Sequence, residues 1–201
     1  VGFLDILLGR TKPVAPDLDQ LFALSAAAVT LEAGAGFTPT GEGAVCFAMV
    51  EGAAFEQTHR EVRALLDADA ERMGVGVELR RDEYGYAWLV SRRGVGEVAS
   101  VVNDLHAVNS AMEVNGFGAQ LLCSVVGFRE AGVGAEAGAG AGRRLGLVYL
   151  FKRGTFYPFA PVGGERRDTA LELRVRGVLA GELRMESDLG RWFPLWGAPG
   201  L

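Results

Sequence analysis

The chain has 201 residues, of which 49 % are apolar and 22 % charged, with a formal net charge of −5. That composition and a mean hydropathy of +0.19 exclude a disordered chain, and no apolar run approaches the ~20 residues needed to cross a bilayer. The acidic balance also argues against an overall basic face for nucleic acid.

Residues 1–16 read as an amphipathic N-terminal segment. On a helix, Phe3, Leu4, Ile6, Leu7 and Leu8 spread over a wide apolar face, with Asp5 and Gly9 opposite, before Pro13 and Pro16 break the chain. So short a helix is unstable alone. It docks on its own domain, on a partner or on a membrane surface. The opening VGFLDILLGR lacks the basic leader and cleavage site of a signal peptide. The expectation is a cytoplasmic protein, at most peripheral to the inner face of the membrane.

Residues 17–201 read as one α+β domain, or as two fused halves at about 17–95 and 96–201. Asp17 is positioned to cap a helix over 18–33, which the glycines at 34 and 36 stop. A buried strand follows at 44–50, then a helix over 53–69 with Phe55, Val62, Leu65 and Leu66 on one side. Strands are expected at 75–80 and 84–93. In the second, Tyr84, Tyr86, Trp88 and Val90 alternate as on a half-buried strand.

The clearest helix carries Val98, Val101, Val102, Leu105, Val108 and Met112 at three- and four-residue steps, with Gly116 placed to end it. A strand over 119–129 leads into the tract AGVGAEAGAGAG at 131–142, which offers nothing to pack and reads as a mobile hairpin loop. Strands at 144–152 and 155–160 turn at Arg153–Gly154. Asp168 marks the start of a helix over 169–180, where Leu171, Val175 and Val178 keep a helical stripe although Leu171, Leu173 and Val175 also alternate. This order of elements argues for an antiparallel sheet with about four helices. The stretches Gly36–Cys46 and Gly116–Cys123 look faintly alike, as a duplication would leave them.

Little catalytic chemistry is visible. Cys46 and Cys123 each sit inside an apolar run and read as small buried hydrophobes. They form no CxxC, and His59 and His106 lie in no HExxH context, so neither a metal nor a cofactor is expected. No GxSxG elbow appears. The glycine spacings of 131–142 mimic a dinucleotide fingerprint, but no helix or GK[ST] follows. The densest aromatic and basic cluster, Tyr149 to Phe159, either fills a core or cups a ligand. The tail Trp192-Phe193-Pro194-Leu195-Trp196 is either pinned on the domain or forms an exposed docking strip.

Four segments resemble a known family. They are GFLDILLGRTKPVAPDLDQLFAL, DLHAVNSAMEVNGFGAQLLCSVVGF, LVYLFKRGTFYPFAP and RWFPLWGAPGL, which together are similar to the PspA-associated PspAB proteins of actinobacteria over nearly the whole chain. The resemblance implies an accessory role in the phage-shock envelope-stress response. It implies a gene lying near those for PspA, a coiled-coil membrane-remodelling protein, and the HtpX membrane protease, and it carries over no catalytic residue. The element order of the carboxy-terminal half is also similar to YbjN and type III secretion chaperone-like domains, a likeness of topology alone.

Two functional readings follow. In the first, the protein is a non-enzymatic adaptor that binds a protein partner, PspA or an HtpX-related component, through Phe3, Leu4, Leu7, Leu8, Trp192, Phe193 and Trp196. In the second, it is a small-ligand sensor or enzyme whose pocket is lined by Tyr149, Phe151, Arg153, Phe156 and Tyr157, with Glu165 or Asp168 as further polar groups.

Overall fold

The structure, a computed structural model, describes residues 17–69, 76–132 and 142–201. The N-terminal segment 1–16 and most of the Gly/Ala tract therefore lie outside the described residues. The chain is α+β. Its helices are α1 (Ala23–Ala35), α2 (Ala53–Asp67), α3 (Val98–Val114) and α4 (Thr169–Leu179). Its main strands are β1 (Phe37–Ala48), β2 (Glu78–Arg81), β3 (Tyr86–Arg92), β4 (Leu121–Glu130), β5 (Arg144–Leu150) and β6 (Thr155–Phe159). They form one six-stranded antiparallel sheet in the order β2-β3-β1-β4-β5-β6. A two-stranded ribbon joins β7 (Pro161–Val162) to β8 (Arg166–Arg167).

The four helices cover one face of this sheet. Alternation along each strand sends every second side chain toward them. Val45 and Phe47, Ala87 and Leu89, Leu145, Leu147 and Tyr149, and Phe156 all enter the helix-side core. The stripe predicted for 98–112 is the buried face of α3, with Val101, Val102, Leu105, Val108 and Met112 inside. Asp168 caps α4 by accepting the Leu171 amide at 2.9 Å, and that start signal decides the contest of periods in favour of a helix. A buried ion pair pins α3 to the end of β3, Arg93 reaching Asp104 at 2.7 Å with both side chains 4 % exposed.

Several boundaries differ from the sequence reading, and Tyr84, expected on a strand, lies in the turn before β3. Asp17 does not cap a helix, because its carboxylate accepts the Gln20 side chain and a 3-10 turn over Leu18–Phe22 precedes α1. The first strand starts at Phe37 rather than 44. The run TPTGEG reads as loop, yet it pairs with β4 through an irregularity between Pro39 and Gly43, where Gly41 takes φ +80°. Its Cβ would also lie 2.5 Å from the Arg93 carbonyl oxygen, so this position requires glycine twice over. Finally, the strand expected at 75–80 is short and shifted, Glu78–Arg81.

Candidate functional site

The second face of the sheet carries its own apolar layer, made by Ala44, Cys46, Trp88, Val90, Cys123, Val125, Val148, Leu150, Tyr157 and Phe159. No helix among the described residues covers it. The carboxy-terminal tail does. Residues 184–186 first run beside β6, the Phe156 amide donating to the Arg184 carbonyl and the Glu186 amide to that of Phe156. The tail then turns across the face. Trp192 stacks on Tyr157 with ring centroids 6.1 Å apart, and Trp196 meets Phe159 edge-on at 5.0 Å.

Polar groups fix this path. The Tyr157 hydroxyl donates to the Phe193 carbonyl at 2.9 Å, and Arg167 donates to the Trp192 carbonyl at 2.7 Å. The same arginine holds the buried Glu172 and lies over the Phe159 ring. Glu186, with its side chain 1 % exposed, accepts from Thr155 and Arg153, while the Trp192 indole N–H donates to its carbonyl. Burial alone pushes the Glu186 carboxyl up. The hydrogen bonds from Arg153, the Asp188 amide and Thr155 outweigh it, and the group falls to about 2. At its far end the tail passes so close to the sheet that a Cβ on Gly127 would sit 2.7 Å from the Gly200 carbonyl oxygen.

The tail covers only part of the face and leaves a cleft of about 810 Å³ beside it. Its floor is Cys46, Cys123, Leu150 and Tyr157, from β1, β4, β5 and β6. Leu195 and Trp196 of the tail form one wall, with Phe193 55 % exposed at its lip. Trp88, Tyr86 and Tyr84 form the opposite wall, the two tyrosines 42 % and 55 % exposed. Asp82 builds that wall. One carboxylate oxygen accepts the amides of Tyr84 and Tyr86, and the other accepts the Trp88 indole N–H at 2.8 Å.

The floor is uncharged. Cys46 and Cys123 are direct partners in the β1–β4 register, and both are buried and free of disulfide. The hydrogen bond with Cys123, then burial, pushes the Cys46 thiol far up, so it stays protonated. Burial likewise raises the Tyr157 phenol. Cations gather instead at the mouth, where Lys152, Arg153 and Arg191 line the rim. Arg153 pairs with Glu186 and Arg191 with Asp188. Lys152 is exposed and makes no ion pair among the described residues.

The predicted residues divide between the two faces. Tyr149, Phe151 and Phe156 are buried in the helix-side core, away from the cleft. The Tyr149 hydroxyl donates to the Asp17 carbonyl at 2.8 Å, and burial lifts the phenol to about 12. Arg153 and Tyr157 do line the cleft, whereas Glu165 and Asp168 do not. In the tail, Trp192 is buried at 6 % while Phe193 and Trp196 face the opening. Phe3, Leu4, Leu7 and Leu8 lie outside the described residues. The sequence reading did not single out Asp82 and Leu122 as site residues, and took Cys46, Cys123, Tyr84 and Tyr86 only as core or strand positions. The DEYGY turn carried a signal for the first, since an aspartate ahead of a glycine turn accepts the amides that follow it.

Among the described residues no cluster of three or more His, Cys, Asp or Glu is placed to hold a metal, and no helix is long and apolar enough to cross a membrane. No curated protein and no solved structure matches the chain, so the likeness to YbjN and secretion chaperones rests on element order alone. The family PspAB, described as PspA associated protein B, matches residues 1–200. The chain belongs to that family, whose name fits an accessory role related to PspA.

Proposed function

We propose that the protein is a non-enzymatic adaptor that binds PspA through the aromatic cleft between the tail and the β2–β3 turn. The observation that carries this reading is the pair of exposed aromatic lips, Tyr84 and Tyr86 facing Phe193 and Trp196 across an apolar floor. Large aromatics on opposing walls are the side chains that most often anchor protein contacts. The family name, PspA associated protein B, supports PspA as that partner.

The floor also limits the mode of docking. Strands β3, β1, β4 and β5 each have hydrogen-bonded neighbours on both sides, and β6 is flanked by β5 and residues 184–186. Among the described residues no open edge lies beneath the cleft for an incoming strand. A partner must therefore satisfy its own backbone, as a helix does, and lay only side chains into the groove. A coiled-coil partner such as the resemblance implies meets that condition.

Co-purification of tagged protein with PspA tests this reading, comparing the wild type, a chain lacking residues 1–12, and Phe193→Ala. Retention of PspA by the wild type and its loss with Phe193→Ala is the expected result. Loss only with the shortened chain would move the contact to the amphipathic segment. If no variant retains PspA or an HtpX-related protease, the adaptor reading fails.

A further inference from the structure

From the distribution of charge in the cleft we infer that it is a binding site for a single-chain anionic amphiphile, a free long-chain carboxylate, with the chain on the thiol and aromatic floor and the head at Lys152. A volume of about 810 Å³ falls within the roughly 300–1,000 Å³ of small-molecule sites. This reading does not depend on PspA; it shares Arg153 and Tyr157 with the pocket expected from the sequence and adds residues of β1, β3, β4 and the tail.

Most polar groups at the cleft already have partners. Asp82 is spent on the Trp88 indole and the amides of Tyr84 and Tyr86. Arg153 and Arg191 are paired with Glu186 and Asp188. The Tyr157 hydroxyl is donated to the Phe193 carbonyl. Among the described residues, the ammonium of Lys152 is the charge at this cleft that an incoming group meets without a competing acid. Below it lie Leu122, Leu150 and the buried side chains of Cys46 and Cys123. The one acid among the described lining residues, Asp82, is occupied by the Trp88 indole and two amides on the far wall. Lys152 at the mouth and an apolar floor therefore match an apolar tail with one negative head at Lys152. The floor strands have hydrogen-bonded neighbours on both sides, with an irregularity between Cys46 and Phe47, and an acyl chain needs no backbone partner.

Titration calorimetry with decanoate, decanol and decyltrimethylammonium, each below its micellar concentration, tests the inference on the full chain. The expected result is saturable binding of one decanoate per chain, weaker binding of decanol and the weakest for the cation. Lys152→Glu should weaken decanoate by about tenfold, the loss of one partly exposed ion pair plus a new repulsion, and leave decanol unchanged. This side chain is exposed, so the variant should keep its circular dichroism spectrum. Trp196→Ala should weaken all probes that bind the wild type. The inference is overturned if decanoate does not saturate, if decanol binds as tightly as decanoate, or if neither variant changes binding. Loss of PspA co-purification with intact decanoate binding would remove the adaptor reading alone, and the converse would remove only this one.

Discussion

At the scale of single residues, Glu186 couples the tail to the sheet and makes the coupling sensitive to acid. Its carboxyl titrates at about 2 in the folded chain against an ordinary 4.5. A depressed folded value contributes stability that is fully present above the unfolded value and lost as pH falls through the folded one. The window therefore runs from about pH 5 down to about pH 2. Arg153 is 42 % exposed, so solvent screening reduces the contribution to about 2 kcal/mol. Urea midpoints of wild type and Glu186→Gln across that window check it. The wild type should lose this increment on acidification, and the variant should lack it throughout. Gly127 is a second sensitive position. Its Cβ would clash with the Gly200 backbone and the Thr40 hydroxyl at 2.7 and 2.9 Å. Gly127→Val should cost about 1–3 kcal/mol by denaturant unfolding and speed proteolysis at the carboxy terminus. An unchanged midpoint would show that the tail does not hold its place here.

At the scale of elements, the tail does for one face of the sheet what the helices do for the other. Without residues 192–201, Val125, Val148, Tyr157 and Phe159 would stand exposed. A chain ending at 191 should lose at least the ~3–5 kcal/mol of removing one buried aromatic, melt lower and bind a hydrophobic dye. A melting temperature equal to the wild type's would contradict the covering role. The tail also shows where sequence reading stops. The helices α3 and α4 were legible because their stripes and start signals are local, Val98 to Met112 in one and Asp168 in the other. Strand β1 was legible only in its apolar half. Its first residues, including Gly41 and Gly43, become strand through pairing with β4, more than eighty residues away. The sequence reading put Tyr149, Phe151, Phe156 and Tyr157 into one pocket, whereas the strands send the first three to the helix side and Tyr157 to the cleft. Nothing local said which face would be closed by helices and which left open by the tail.

At the scale of the whole molecule, a two-faced sheet is filled on one side and grooved on the other. The order of helices and strands in the sequence was enough for the α+β class and the antiparallel sheet. The cleft was not legible, because it joins β1, β3, β4, β5, β6 and the tail, which meet only when the register is set. Cys46 and Cys123 looked faintly equivalent in sequence, and their pairing across β1 and β4 places both at the cleft floor. Phe193 and Trp196 were flagged as contact residues, while their partners across the opening, Tyr84 and Tyr86, were seen only as strand positions.

The proposed adaptor role has PspA held by the aromatic lips of this cleft. Affinity of purified PspA for the wild type, Phe193→Ala and Tyr84→Ala, measured by surface-immobilised binding, tests it most directly. Each substitution removes an exposed ring that the fold does not need, so melting temperatures should hold while affinity falls at least about tenfold, the loss of one anchor. Equal affinity for all three proteins, with folding intact, would contradict the account.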